Sequence, residues 1–151
     1  MKILFLNPSF KLGRGPFLEQ YLVRAGSRWP HTGTKLRFMR PHYLPFPFFL
    51  AIAAAVARRA GFEVAALDAV ALDIDGETML KAIAVCNPDL VVFEPAASSL
   101  DFDAGLCAAI KTRCTRRVRI ALCGPFALSA GGRLLGRLRA ADFAVHGEYE
   151  M

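Results

Sequence analysis

The sequence lacks any apolar run long enough to span a membrane, and it lacks closely spaced cysteine pairs. Its most apolar segment, residues 43–57, has fifteen residues, contains two prolines and is followed by Arg58 and Arg59, whereas a spanning helix needs about 20 residues. The four cysteines form no CxxC pair and stand in helical or strand-like segments, so neither zinc nor disulfides are expected. We predict no membrane span, and reduced, buried thiols.

Two further patterns are missing. Lys2 is followed by four apolar residues and then by Asn7 and Pro8, which is not the pattern of a secretory signal peptide, and a cytoplasmic location is expected. The net charge of +6 comes largely from fourteen arginines, several of them clustered at residues 113–119. No aromatic residues interleave with this cluster and no nucleic-acid-binding motif accompanies it, so we expect no nucleic-acid partner.

What the sequence does have is a high apolar content for one domain of ordinary size. Its 151 residues are 54% apolar, which is typical of a buried parallel sheet flanked by helices and excludes a disordered chain. Five short apolar runs predict strands, namely KILFL at 2–6, EVAAL at 63–67, LVVFE at 90–94, RIALC at 119–123 and DFAVH at 142–146. A single domain over residues 1–151 is expected.

Helical patterns separate these runs. A helix is predicted over 47–60 with Gly61 as its left-handed cap, another over 77–86, and a third from the spacing of Phe102, Leu106 and Ile110. Alternating short strands and helices predict an α/β fold, a doubly wound (Rossmann-like, flavodoxin-like) five-stranded parallel sheet of order 2-1-3-4-5.

The first connection, residues 7–46, is unusually long, with at most one short helix expected near residues 16–24. Connections of that length are usually functional.

Ligands of such sheets bind outside the carboxyl ends of the strands, where the strand order reverses. The residues expected there begin at Asn7, Glu94, Gly124 and His146. A response regulator would need an acidic pair after the first strand, an aspartate after the third and a lysine after the fifth, which this chain does not offer. A flavin-binding domain would need a phosphate loop leading directly into a helix. NPSFKLGRG has the glycines without that helix, and flavin stays an alternative.

Five segments in sequence order carry a resemblance to a known family. They are KILFLNPSF, RPHYLPFPFFLAIAAAVARRAGFEVAALDA, NPDLVVFEP, CGPFAL and ADFAVHGEYE. Together they resemble the N-terminal cobalamin (vitamin B12)-binding domain of B12-dependent radical SAM proteins, over essentially the whole chain. The resemblance implies a module that presents the corrinoid to a radical SAM catalytic domain, in cis or in trans, for methyl transfer or a related radical reaction.

The resemblance also implies a set of cofactor-binding residues. Those expected to contact cobalamin are Asn7, Pro8, Ser9, Tyr43, Phe46, Glu94, Ser98, Gly124, Pro125, Phe126, His146, Gly147 and Glu148. Prolines stiffen the RPHYLPFPFF lead-in, so its rings can form a wall near the corrin or the domain interface. The alternative is that these rings only cap the sheet.

Two departures from the family pattern shape the expected site. Relatives that ligate cobalt carry Asp-x-His-x-x-Gly after the first strand, whereas this chain has Asn7, Pro8 and Ser9 and reaches Gly13 one position late. We therefore expect tail-off cobalamin, with no histidine or other metal ligand from the protein. The third strand ends in Glu94 in place of a small hydroxyl residue. Gly124 is retained, and a glycine there leaves room for the cofactor's nucleotide tail.

No catalytic machinery is expected in these residues. The four cysteines are separated by twenty, six and eight residues and do not form the Cys-x-x-x-Cys-x-x-Cys loop of a radical SAM barrel. An iron–sulfur cluster and S-adenosylmethionine are thus expected only in a missing or partner domain. The alternative outside this class is a non-binding interaction or remnant domain of the same fold.

Overall fold

A computed structural model describes residues 1–24, 31–39 and 44–149. The strands are β1 (Lys2–Asn7), β2 (Lys11–Arg14), β3 (Leu18–Val23), β4 (His31–Leu36), β5 (Glu63–Asp68), β6 (Leu90–Phe93), β7 (Arg119–Leu122) and β8 (Phe143–Ala144). The α-helices are α1 (Phe48–Arg59), α2 (Gly76–Cys86), α3 (Leu100–Arg113), α4 (Gly124–Ala130) and α5 (Arg133–Arg137), with a 3₁₀ turn at Ala97–Ser99. No helix within these ranges combines the length and apolarity needed to cross a membrane.

The larger sheet confirms the predicted fold class. Its five strands are all parallel and lie in the order β5-β1-β6-β7-β8. Counted along the chain within this sheet, that is the second, first, third, fourth and fifth strand, as predicted. The order reverses between β1 and β6, whose register pairs Leu6 with Phe93. The last strand is shorter than predicted, so His146 lies beyond it and does not end it.

Alternation along the strands divides the core between the two faces of this sheet. Leu6 and Phe93 point to one face, where the core is shared with α2, α3, α4 and α5. Phe5 and Val92 point to the other face, where Leu50 and other apolar residues of α1 cover β1 and β5. This second face carries the candidate site described below.

Gly61 caps α1 as predicted, and α2 is capped at both ends. Gly61 after α1 has a φ of +86°, the left-handed conformation in which glycine costs least. The carboxylate of Asp75 accepts a hydrogen bond from the Thr78 N–H at 2.8 Å at the start of α2, and Asn87 ends that helix with a φ of +45°. These caps place α1 and α2 within two residues of their predicted limits.

The long first connection contains a three-stranded antiparallel sheet, β2-β3-β4. The segment near residues 16–24, for which at most one short helix was expected, forms the strand β3. Cross-strand packing sets the register, because Tyr21 lies opposite Gly33 and its ring covers the glycine so closely that a Cβ there would overlap it.

Buried charges attach this small sheet to the rest of the molecule. Lys35 Nζ lies 3.2 Å from the Glu19 carboxylate and 2.6 Å from that of Asp73, in the loop after β5. Burial acts to lower the pKa of Lys35, but hydrogen bonds to Asp73 and Glu19 raise it overall. At the end of β3, Arg24 Nη1 lies 2.6 Å from Asp103 Oδ1 in α3, and both side chains are inaccessible to solvent.

All four cysteines carry free thiols, as predicted. Cys107, Cys114 and Cys123 are buried, whereas Cys86 is half-buried. Burial and the nearby Asp103 carboxylate raise the pKa of Cys107 to about 12. At neutral pH this thiol is protonated and packs as a small apolar side chain.

Candidate functional site

Three polar side chains form a row across the carboxyl ends of β5, β1 and β6. Asp68 pairs with Asn7 in the sheet register, and Glu94 follows directly after β6, next to Asn7. Side chains two residues apart on a strand share a face, and Phe5 and Val92 place Asn7 and Glu94 on the side of α1. The row thus lies at the edge where ligands of doubly wound sheets bind.

Asn7 is held in one orientation. Its Nδ2 donates to Asp68 Oδ1 at 2.9 Å, so its own carbonyl oxygen must point elsewhere. That oxygen, Asn7 Oδ1, is buried and has no hydrogen-bond partner among the described residues. Buried amide oxygens are rarely left in this state. The row therefore offers an unused acceptor at the sheet edge.

A cavity of about 140 Å³ lies beside Asn7, between the sheet and the start of α1. Its polar lining comes from Asn7 and Asp68. The remaining lining is apolar, from Phe5, Phe46, Pro47, Leu50, Ala51, Ala66 and Leu67. An apolar pocket with a few convergent polar groups is the usual form of a small-molecule site.

At the β6 end of the row, Glu94 meets Gly124 and Tyr149. The Glu94 carboxylate is buried and accepts a hydrogen bond from the Tyr149 hydroxyl. Gly124, the first residue of α4, has a φ of +85°, and a Cβ built there would lie 2.8 Å from Glu94 Cγ. The space predicted for the nucleotide tail beside Gly124 is therefore filled by Glu94 in this structure.

The other predicted residues near β1 and α1 lie close to this row. Pro8 and Ser9 are buried directly after β1. The ring of Phe46 is exposed, lines the cavity and packs edge to face with Phe48, at 5.0 Å between ring centroids. Tyr43 lies outside the described residues.

Several predicted residues do not join the row. Ser98 and Pro125 are exposed. Phe126 packs against the core on the opposite face of the sheet. Beyond β8, His146 and Glu148 are exposed and Gly147 has a φ of +114°.

Sequence reasoning missed Asp68 and Tyr149 as site residues. Asp68 could have been found, because it ends the apolar run of β5 and so must lie at the same edge as Asn7. Tyr149 gave no such signal, since its contact with Glu94 spans 55 residues of chain.

The chemistry of the row is that of hydrogen-bond acceptance. Asp68, Asn7 Oδ1 and Glu94 present oxygen atoms, and Phe46 adds an exposed ring beside them. Within the described part of the chain, no three His, Cys, Asp or Glu side chains are grouped so that they could hold a metal ion. The edge is thus suited to a ligand with N–H donors and apolar surface.

No protein-family model matches this chain, and no curated protein matches it.

Proposed function

We propose that the protein is a cobalamin-binding module that presents the corrinoid to a radical SAM catalytic domain, in cis or in trans, for methyl transfer or a related radical reaction. The observation that carries the proposal is the row Asp68, Asn7 and Glu94 at the point where strand order reverses. A corrin is a large, largely apolar ring with primary carboxamide arms at its rim. An acceptor row beside an apolar wall complements such a rim.

The fit is good for the corrin rim and incomplete for the nucleotide tail. Asn7 and Asp68 would hold amide groups of the rim, and Phe46 would contact its apolar surface. The slot next to Gly124 holds the Glu94 side chain, so a tail could enter there only after that carboxylate had moved. When bound, the cofactor would supply methyl transfer or radical chemistry at cobalt.

In this proposal the residues of this chain bind and orient the corrinoid. The iron–sulfur cluster and S-adenosylmethionine would come from the partner catalytic domain. We place the module in the cytoplasm, and its four free thiols are in keeping with a reducing compartment.

A cobalamin reconstitution experiment tests the proposal. Purified protein is mixed with hydroxocobalamin and desalted, and its visible spectrum is recorded. We expect the corrin absorption to stay with the protein, at a similar level for wild type and for Arg113→Gln, which alters an exposed ion pair with Glu77 in α2. A colourless wild-type protein would contradict the cobalamin function.

A second candidate is an interaction domain that binds no cofactor. Two observations favour it: Glu94 fills the predicted tail slot, and one end of the small sheet is apolar and exposed. The residues at that end are Phe17, Leu18, Leu36, Phe38 and Met39. Retention of cobalamin after desalting would decide against this candidate.

We do not propose a flavin site. Doubly wound phosphate sites place a helix N-terminus directly after the first strand. Here β1 is followed by β2, and the next helix within the described ranges is α1, which begins at Phe48.

A further inference from the structure

We propose that the cavity between α1 and the carboxyl ends of β1 and β5 is a binding subsite for a primary carboxamide. In equating this carboxamide with a corrin side arm, the inference rests on the cobalamin function proposed above. The subsite itself rests on the hydrogen-bonding groups and the size of the cavity.

The first element of the subsite is an acceptor. Asn7 is 5% exposed and lines the cavity. Its Nδ2 donates to Asp68 Oδ1 at 2.9 Å. Exchanging the nitrogen and oxygen of the Asn7 amide would bring its oxygen against that carboxylate oxygen, so the atom without a partner is Oδ1. A buried acceptor without a partner costs about 1–3 kcal/mol. A ligand N–H that reached Asn7 Oδ1 would remove that cost.

The second element is a set of donors at the start of α1. Leu50 and Ala51, in the first turns of this twelve-residue helix, line the cavity. The helix has Pro47 at its N-cap, no capping side chain and no acidic residue in its first turn. The N–H groups of Phe48 and Ala51 already donate to the carbonyls of Phe46 and Pro47. The donors left for a ligand are the N–H groups of Phe49 and Leu50, where the positive end of the helix dipole favours a ligand oxygen.

A primary carboxamide satisfies both elements, and related groups do not. Its NH₂ can donate to Asn7 Oδ1, and its carbonyl oxygen can accept from the first turn of α1. A carboxylate has no N–H for Asn7 and would be repelled by Asp68. An ammonium group would face the positive end of α1 and has no oxygen to offer it.

The volume of the cavity limits what the carboxamide can be attached to. At about 140 Å³ it is close to an engineered cavity of about 150 Å³ that admits benzene. A propionamide group fits within that volume, whereas a whole corrin does not. The subsite therefore takes an arm of a larger ligand, with the apolar lining around the methylene groups.

Small-molecule probes test the subsite without cobalamin. ¹H–¹⁵N spectra of wild type are recorded with propionamide, with N,N-dimethylpropionamide and with propionate. We expect saturable shifts of the Asn7 side-chain amide and of the Phe49 and Leu50 backbone amides with propionamide, and affinity at least about tenfold weaker for the other two probes. Equal affinity for all three probes, or no saturable shift with propionamide, would overturn the subsite.

A substitution then connects the subsite to cobalamin. Asn7→Leu removes the acceptor at similar size, and Ser129→Ala in α4 is the control, since its hydroxyl is exposed. We expect Asn7→Leu to bind propionamide and cobalamin about tenfold more weakly and Ser129→Ala to match wild type. Thermal unfolding checks that both variants fold. The probe titrations of wild type test the subsite even if Asn7→Leu does not fold.

The outcomes separate the two proposals. Propionamide binding without cobalamin binding would keep the subsite and end the cobalamin function. Cobalamin binding that is unchanged in folded Asn7→Leu would keep the function and overturn the subsite. If wild type bound neither propionamide nor cobalamin, both proposals would be overturned.

Discussion

The side chain of Glu94 lies in the space that Gly124 leaves open by having no side chain. A Cβ on Gly124 would lie 2.8 Å from Cγ and 2.9 Å from Cδ of Glu94, closer than carbon atoms pack. The backbone gives Gly124 one reason to be glycine, namely a φ of +85°, and the Glu94 side chain beside it gives a second. The two residues are therefore coupled whether or not a ligand enters between them.

The first prediction measures this coupling. Gly124→Ala should lower the free energy of unfolding by about 2 kcal/mol, because it adds both left-handed strain and a clash with Glu94. Gly61→Ala is the matched control, since Gly61 has a φ of +86° and no atom near its missing Cβ, so it should cost only about 1 kcal/mol. Urea unfolding of Gly124→Ala, Glu94→Ala and the double variant gives the interaction energy between the two residues. Equal losses in the free energy of unfolding at the two glycines would show that the Glu94 side chain can move away from the new Cβ without a penalty.

The second prediction asks whether Glu94 keeps the nucleotide tail out. Wild type should bind cobalamin and cobinamide, which lacks the tail, with similar affinity. Glu94→Ala should open the slot and favour cobalamin by about tenfold. Tyr149→Phe removes the hydroxyl donor and leaves the carboxylate beside Gly124, so it should behave like wild type. Equilibrium titration monitored by visible absorption gives the affinities, and an unchanged ratio in folded Glu94→Ala would place the tail elsewhere.

The third prediction concerns the buried ion pair between the small sheet and α3. Arg24→Met leaves Asp103 charged and buried, which should cost about 3–5 kcal/mol. The double variant Arg24→Met/Asp103→Leu should recover part of that loss, because no single charge is left buried. Arg113→Met breaks an exposed pair with Glu77 and should cost far less than Arg24→Met, because water screens exposed charges. Urea unfolding that shows equal costs for Arg24→Met and Arg113→Met would contradict a stabilising role for the buried pair.

The fourth prediction concerns the pH dependence of the charges around Lys35. Burial acts to raise the pKa of Asp73, but Lys35 and Lys11 lower it overall. A lowered pKa contributes stability above the unfolded value of about 3.8, and this stability is lost as the pH falls through the folded value. The raised pKa of Lys35 contributes stability below about 10.5, and this is lost as the pH rises through its folded value.

Asp73→Asn tests the predicted loss of stability at acid pH. Asparagine tolerates the positive φ of +54° at this position, so the substitution chiefly removes the charge. We expect a loss of about 1–3 kcal/mol at pH 7. We also expect stability to fall less steeply than in wild type as the pH drops below about 3.8. Asp101→Asn, on the exposed side of α3, should leave that acid limb as in wild type. An unchanged acid limb in Asp73→Asn would mean that other carboxylates control it.

The larger sheet could be predicted because each of its strands is a short apolar run that ends at a breaker. The small sheet could not, since two of its buried positions carry charge. Glu19 and Lys35 are 3% and 4% exposed and pair with each other across β3 and β4. A search for alternating apolar residues reads these positions as solvent-facing, and only the ion pairs make their burial tolerable.

The residues of the candidate site could be predicted only where they directly follow a predicted strand. Asn7 and Glu94 follow from the chain order and the reversal point, and Asp68 would have followed from the same rule. The contact of Glu94 with Gly124 could not be predicted, because it depends on a side-chain direction at the end of β6. The attachment of Arg24 to Asp103 likewise joins residues 79 positions apart, with no local pattern to reveal it.

The last prediction concerns the lower face of cobalt if cobalamin binds. The chain has three histidines, at positions 31, 42 and 146. His146 is exposed beyond β8. The segment after β1, where the cobalt-ligating proteins that the sequence resembles carry their histidine, here contains Asn7, Pro8 and Ser9. We therefore expect no protein imidazole to bind the metal. Because ligands of a metal tune its reactivity, the absence of this one would affect the chemistry of the cofactor.

Electron paramagnetic resonance of the Co(II) form checks this directly, since an axial imidazole nitrogen splits each cobalt line into a triplet. Cobinamide is the probe of choice because it has no nucleotide base that could supply such a nitrogen. The bound probe should show single cobalt lines in wild type. Triplets that disappear in His31→Ala, His42→Ala or His146→Ala would identify a histidine ligand and refute the prediction, because only loss of a coordinating nitrogen removes the splitting.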